Sequence, residues 1–250
     1  MSQEQSQGFH LQGAVVLVTG ANGGLGTEFV RQALARGAAK VYATARTPQQ
    51  WDDDRVAPLA LDVTDDASVS EAVRTAADVT LVINNAGAAF PASLLDGDLS
   101  RTRDLFEVNF FGPLAVASAF ASTLKSNGGG ALLNVLSVLS WLGIGDTYSA
   151  TKAALWSATN TQRLQLAQQG TLVTGLHLGY ADTPMTRGVD APKLDPADVV
   201  RDAYDGLERG AFEVLADDLS RHVKAQLAAP IEAQYPQLLG ASRSAGAAKT

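Results

Sequence analysis

Residues 14–37 read AVVLVTGANGGLGTEFVRQALARG. The apolar run at 14–19 is continuous rather than alternating, as in a strand buried on both faces. From Leu25 onward apolar residues recur at helical spacing until Gly37, a usual helix stop. Between the two segments stand Gly20, Gly24 and Gly26, in the order G-x-x-x-G-x-G. A strand that passes through a glycine turn directly into a helix is the repeating unit of a parallel α/β sheet.

The rest of the chain repeats that unit. Strands are expected at 40–45, 56–63, 79–87, 131–137 and 171–179, with a seventh at 211–216. Helices are expected at 65–76, 99–125, 148–169 and 196–210, the last opening on proline and closing on glycine. The fold class is therefore α/β: a doubly wound, Rossmann-type parallel sheet of about seven strands with helices on both faces. No linker or internal repeat divides residues 1–250, which read as a single domain. The small, polar stretches 1–9 and 241–250 read as frayed tails.

Glycine lets a chain turn tightly and lets a pyrophosphate approach the backbone, while the helix that follows offers free N–H groups. Gly20, Asn22, Gly23, Gly24, Leu25 and Gly26 are thus a candidate cradle for a dinucleotide. A glycine-rich turn without any ligand is the alternative. About 20 residues past the loop, where a carboxylate would hold an adenine ribose, the second strand ends instead in Arg46. A guanidinium binds a 2′-phosphate that a carboxylate would repel. NADP(H) is therefore preferred, with NAD(H) the alternative.

Further along, YSATK (148–152) puts a tyrosine and a lysine four positions apart, on one helix face. The spacing alone is compatible with a lysine stem lying along an aromatic ring. It also suits acid chemistry. A free phenol has a pKa of about 10, and a neighbouring ammonium is expected to lower it.

In order along the chain, TGANGGLG (19–26), LDV (61–63), NNAG (84–87), Asn109, Ser137 and YSATK resemble the short-chain dehydrogenases/reductases over nearly their whole length. The resemblance implies that Asp62 and Val63 meet the adenine, and that Asn84, Ala86 and Gly87 brace the adenine side of the cofactor. It implies that Gly179, Ala181 and Thr183 of LGYADT (178–183) border the nicotinamide. Tyr148 would donate a proton, Lys152 would grip the nicotinamide ribose, and Ser137 would stabilise the substrate oxygen. Asn109 would hold a water for proton relay, its alternative being a polar residue satisfying carbonyls at a helix kink. Ser140 rivals Ser137 for the serine role, although Ser137 better suits a strand end. The pattern departs in two places: Leu178 stands where the family has proline, and the Ser137–Tyr148 link is short. The family also implies a homodimer or homotetramer paired through its two long helices.

Bulk composition narrows the classes. The 250 residues carry a net charge of −7 with no basic cluster, which disfavours nucleic acid and anionic membrane partners. There is no cysteine, so thiol catalysis and Cys-bound zinc are excluded. His10, His177 and His222 lack metal-ligand spacing, and no metal is expected. The polar, acidic N-terminus lacks a signal pattern and no uninterrupted apolar run reaches membrane length, so the chain reads as cytoplasmic. The expected activity is NADPH-dependent reduction of a small-molecule ketone, reversible as a secondary alcohol dehydrogenase. Alternatives are a 3-oxoacyl-carrier reductase and a non-catalytic dinucleotide-sensing protein. Segments 88–98 and 185–195 are the expected substrate walls, the second a lid, around a bulky apolar ketone.

Overall fold

A computed structural model describes residues 8–95 and 97–238. Seven parallel strands form one sheet in the order β3-β2-β1-β4-β5-β6-β7. They are β1 (Val15–Thr19), β2 (Lys40–Ala45), β3 (Val56–Ala60), β4 (Leu81–Asn84), β5 (Ala131–Val135), β6 (Leu172–His177) and β7 (Glu213–Leu215). Strand order reverses between β1 and β4, where Val16, Leu17 and Val18 pair with Leu81, Val82 and Ile83. Ligands of such sheets bind beyond the carboxyl ends of the strands at that point.

Alternation along each strand sorts the core into two layers. Val16, Val18, Leu81, Ile83, Leu133 and Val135 join α1 (Leu25–Ala35) and α6 (Pro196–Glu208) in one cluster. Leu17, Val82 and Leu132 face the other way, toward α2 (Asp66–Thr75) and α4 (Gly112–Ser126). The first layer is pinned by the Phe29–Tyr204 edge-to-face pair at 5.6 Å, where the Tyr204 hydroxyl also donates to the Phe29 carbonyl at 2.7 Å. Burial of each such ring contributes about 1.5–3 kcal/mol.

The helix expected at 99–125 is interrupted. It forms α3 (Ser100–Phe106), a π-helical turn (Glu107–Phe111) and α4. Pro113 explains the break: it has no N–H for the Asn109 carbonyl, and its ring would collide with that carbonyl in a regular α-helix. The widened turn relieves both problems, with the Gly112 N–H donating to the Glu107 carbonyl five residues back. The tract Ser100–Ser126 is long and apolar enough to cross a membrane by length and composition. Here it lies on the sheet, burying Leu105, Val116, Phe120 and Leu124.

Helix α5 runs over Asp146–Leu166, starting two residues earlier than expected. Two short helices follow β7: α7 (Asp218–Ala225) and α8 (Ile231–Gln234). Of the expected tails, 1–7 and 241–250 lie outside the described residues. Phe9, at the end of the first, is docked: its N–H donates to the Leu207 carbonyl at 2.9 Å and its ring packs on the first core layer.

Candidate active site

A cavity of about 640 Å³ opens at the carboxyl ends of β1, β4, β5 and β6. Its floor is the glycine loop. Gly20 has φ +67°, a left-handed conformation that glycine adopts without strain. A Cβ on Gly26 would lie 2.1 Å from the Gly20 carbonyl oxygen, so no side chain fits there. Helix α1 begins at Leu25 with no side chain capping it, which leaves first-turn N–H groups directed toward the loop. Asn22 is exposed and ties the loop to the end of β2, donating to the Thr47 carbonyl and accepting from the Gln49 N–H.

Thr19 organises the switch point, a role the sequence reading missed. Its hydroxyl oxygen accepts from the Asn85 and Ala86 N–H groups, both at 2.9 Å. Asn85 in turn donates to the Thr19 and Gly20 carbonyls. Asn85, Ala86 and Gly87 therefore line the cavity. Asn84, expected in that role, does not. As an even-numbered residue of β4 it points with Val82 to the α4 layer, where Nδ2 donates to the Pro113 carbonyl and Asn134 Oδ1. Two adjacent asparagines at a strand end leave only one facing the ligand side, and it is Asn85.

At the adenine end, Arg46 is exposed and makes no hydrogen bond or ion pair among the described residues. It follows β2 beside Asp62, which follows β3. The Thr64 N–H and hydroxyl, with the Arg46 guanidinium, hold the Asp62 carboxyl below its usual range. Val63 packs against Gly112, where a Cβ would meet Val63 Cγ2 at 2.7 Å.

Tyr148 and Lys152 lie on the cavity wall in the first two turns of α5, with Ser137 at the end of β5. The Lys152 ammonium donates to the Val135 carbonyl at 2.9 Å and sits 5.7 Å from the centroid of the Tyr148 ring. Burial pushes Lys152 down to about 8. Burial, reinforced by Tyr180, pushes Tyr148 up to about 12, opposite to the lowering expected from Lys152. Desolvation here outweighs the neighbouring charge.

Ser137 has extended backbone and caps the 3₁₀ turn Val138–Ser140, accepting from the Leu139 N–H at 3.1 Å. Ser140 turns inward and its hydroxyl accepts from the Ser137 N–H, so Ser137 alone of the two faces the cavity. That turn and a second, Gly143–Gly145, make up the short link to Tyr148. Beneath Ser137, His177 is fully buried and stacks on Trp141 at 4.0 Å. Its Nδ1–H donates to the Ser137 carbonyl at 3.2 Å, and burial pushes its pKa down to about 4. His177 thus stays neutral at ordinary pH, consistent with a structural part.

Asn109, in the π turn, lies off the cavity wall. Its Oδ1 accepts from the Ala88 N–H at 2.8 Å, and its Nδ2 donates to the Ala88 carbonyl and Thr151 Oγ1. The kink is real, but the amide bonds the loop after β4 rather than carbonyls of its own helix. Gly179, Ala181 and Thr183 border the cavity opposite Tyr148. The Gly179 N–H donates to Asp217 Oδ2 at 2.7 Å, and the other oxygen of Asp217 accepts from the Ser220 N–H at the start of α7. Leu178, in place of proline, is buried, and its carbonyl accepts from the Val138 N–H. Asp217 was invisible in the sequence because its partner lies 38 residues away. No group of histidines and carboxylates suited to a metal occurs among the described residues.

The profile of short chain dehydrogenases matches residues 14–193. A short-chain dehydrogenase of Penicillium crustosum is 36% identical over 183 residues, covering 67% of this chain and 66% of its own length. The chain thus spans just under two thirds of that relative. An uncharacterized oxidoreductase of Staphylococcus saprophyticus is 28% identical over 80% of this chain and 93% of its own. A solved short-chain dehydrogenase from Burkholderia cenocepacia, in complex with NADP, is 38% identical with a TM-score of 0.86. That structure is matched over 92% of this chain and 99% of its own.

Proposed function

The chain belongs to the short-chain dehydrogenase family, and from that premise we propose that it is an NADPH-dependent ketone reductase, reversible as a secondary alcohol dehydrogenase. The observation that carries the reading is the convergence of Ser137, Tyr148 and Lys152 with the glycine loop on one cavity.

The cradle fits a dinucleotide. A side chain on Gly26 would fill it, no side chain caps α1, and the exposed Arg46, beside Asp62 but in no hydrogen bond or ion pair among the described residues, offers a guanidinium for a 2′-phosphate. In this reading Gly20, Gly23, Gly24, Leu25 and Gly26 hold the pyrophosphate, Asp62 and Val63 border the adenine, and Asn85, Ala86 and Gly87 brace its side. Gly179, Ala181 and Thr183 border the nicotinamide. NADP, bound to the Burkholderia relative, suits Arg46 here. When bound, the reduced nicotinamide supplies a hydride to the substrate carbon.

The chain's own residues manage the oxygen. The Ser137 hydroxyl donates to the carbonyl oxygen and stabilises its growing charge. Tyr148 Oη then donates its proton to that oxygen. A phenol held near 12 is still a far stronger acid than an alcohol, whose acidity resembles that of water. Proton transfer to an alkoxide therefore remains downhill, and the raised value keeps the phenol in its donor form. Lys152, pushed down to about 8, is still mostly charged at neutral pH and supports the phenolate left behind. Asn109, with its side-chain amide on Ala88 and Thr151, positions the loop after β4, and in this reading it also holds a water for proton relay to Lys152.

Exposed apolar residues at the α4–α5 surface, Phe111 and Leu164, suit pairing of two copies as a homodimer or within a homotetramer. A cytoplasmic location is part of the same proposal, and the lack of cysteine fits a reducing compartment. Following NADPH absorbance with a panel of ketones tests the reading. Consumption with matching alcohol formation is expected. NADPH binding without turnover of any carbonyl would replace it with a dinucleotide-sensing role.

A further inference from the structure

The reductase reading leaves the substrate open, but the wall of the cavity does not treat all ketones alike. Among the described residues Lys152 is the one charged side chain on that wall, and it is anchored on the Val135 carbonyl next to Tyr148. The half facing away from the glycine loop is built from Phe90, Leu139, Leu142, Ile144, Met185 and Leu219. They come from four separate segments: the loop after β4, the turns between β5 and α5, the 185–195 lid, and α7. Convergence of apolar residues from four segments is a property of the site rather than of one hydrophobic stretch.

A second observation agrees. Single exposed apolar side chains are ordinary, but several gathered on one concave surface mark a contact site. Ile144 (63% exposed), Leu219 (50%), Met185 (48%) and Tyr180 (42%) all lie on this one cavity. Two of the polar side chains on the wall are already engaged. Thr186 Oγ1 donates to the Ala181 carbonyl, and Asn85 Nδ2 to the Thr19 and Gly20 carbonyls. Nearby cations are already engaged and do not line the cavity: Arg101 donates to the Pro91 carbonyl and lies over the Phe90 ring, and Lys224 pairs with Glu213. Arg187, on the lid, does not line the cavity.

We infer that the site takes uncharged, largely apolar ketones, with an alicyclic or aryl body, and rejects ketones carrying a carboxylate or phosphate on that body. An anion set against this apolar wall sheds part of its hydration and finds no cation there in return, which disfavours it relative to a neutral group of the same size. The Tyr180 hydroxyl, on the same wall, is a polar contact open to such a substrate. This inference rests on the reductase reading for its chemistry but concerns the wall alone.

Three ketones of one skeleton test it: benzylacetone, its para-carboxylate, and the methyl ester of that acid. The ester controls for size. Each is measured for kcat/KM with NADPH and, separately, for binding to the protein–NADP+ complex by calorimetry. The acid is expected to fall roughly 100-fold or more below the ester in both, with the ester within about tenfold of the parent. The variant Leu142→Arg is expected to shift the acid-to-ester ratio toward the acid. Acid bound or reduced as well as the ester overturns the inference even if turnover is fast, as does failure of all three to bind. If the expected binding order holds but no ketone is reduced, the wall reading stands and the reductase reading falls.

Discussion

The Lys152 ammonium is fastened to the Val135 carbonyl, 2.9 Å away, while lying 5.7 Å from the centre of the Tyr148 ring. The two ionisable groups therefore share one water-poor pocket without a direct bond between them. Burial moves them in opposite directions, Tyr148 up to about 12 and Lys152 down to about 8. Both shifts favour the uncharged form. The pair has a pH signature in function and in stability.

In function, loss of the Lys152 charge should remove support for the phenolate. The kcat/KM for NADPH, which reports groups of the free enzyme, is expected to decline as pH rises through about 8. A pH profile flat from 7 to about 9.5 would contradict this.

In stability the sign is reversed. The folded protein gives up the Lys152 proton near 8 and the unfolded chain near 10.4, so between them the unfolded state binds more protons and stability rises with pH. Against Lys152→Met, the unlabelled cost of burying the charge is present below pH 8 and is relieved above it. The wild-type protein without cofactor should gain roughly 2–3 kcal/mol relative to the variant between pH 8 and about 10. Tyr148 acts oppositely only above about 10, where the unfolded phenol ionises and the folded one does not. Denaturant titrations at three pH values measure the difference.

Arg46 is exposed and touches Asp62 only through its charge, so its replacement should cost little stability. Arg46→Asp is expected to weaken NADPH binding roughly 10- to 100-fold, the worth of a charged hydrogen bond plus the new repulsion. NADH binding should change little. Equal losses for the two dinucleotides, measured by fluorescence titration, would refute the 2′-phosphate assignment.

The two adjacent asparagines separate folding from binding. Asn84→Ala strands the Pro113 carbonyl and Asn134 Oδ1 inside the protein and should cost about 1–3 kcal/mol of stability. NADPH affinity should barely move. Asn85→Ala releases the Thr19 and Gly20 carbonyls of the glycine loop and should weaken NADPH binding with a smaller stability loss. The reverse pattern would return Asn84 to the cofactor site.

These asparagines also mark where the sequence stops being legible. Continuous apolar runs located the central strands, because burial on both faces leaves a strong local imprint, whereas the edge strands β3 and β7 are only partly buried and carry a weaker one. The side a strand-end residue faces depends on where pairing stops, and β4 ends at Asn84 rather than at 87. Pro113 was visible, but the π turn that accommodates it needs Asn109 and Glu107 to be considered together with Gly112. The glycine loop and the Tyr148–Lys152 pair were legible because their chemistry is local. Thr19, Asp217 and His177 were not, since each acts on a backbone group at least 38 residues away in sequence. The direction of the Tyr148 shift escaped for a related reason: spacing reports a neighbouring charge, whereas burial is a property of the whole fold.

The most direct measurement is single-turnover NADPH oxidation by Tyr148→Phe with a ketone that the wild-type protein reduces. The phenol is the proton donor in this account, so the rate should drop about 100- to 10,000-fold while NADPH still binds. A variant that oxidises NADPH at close to the wild-type rate would show that the proton comes from elsewhere, and the account of the site would fail.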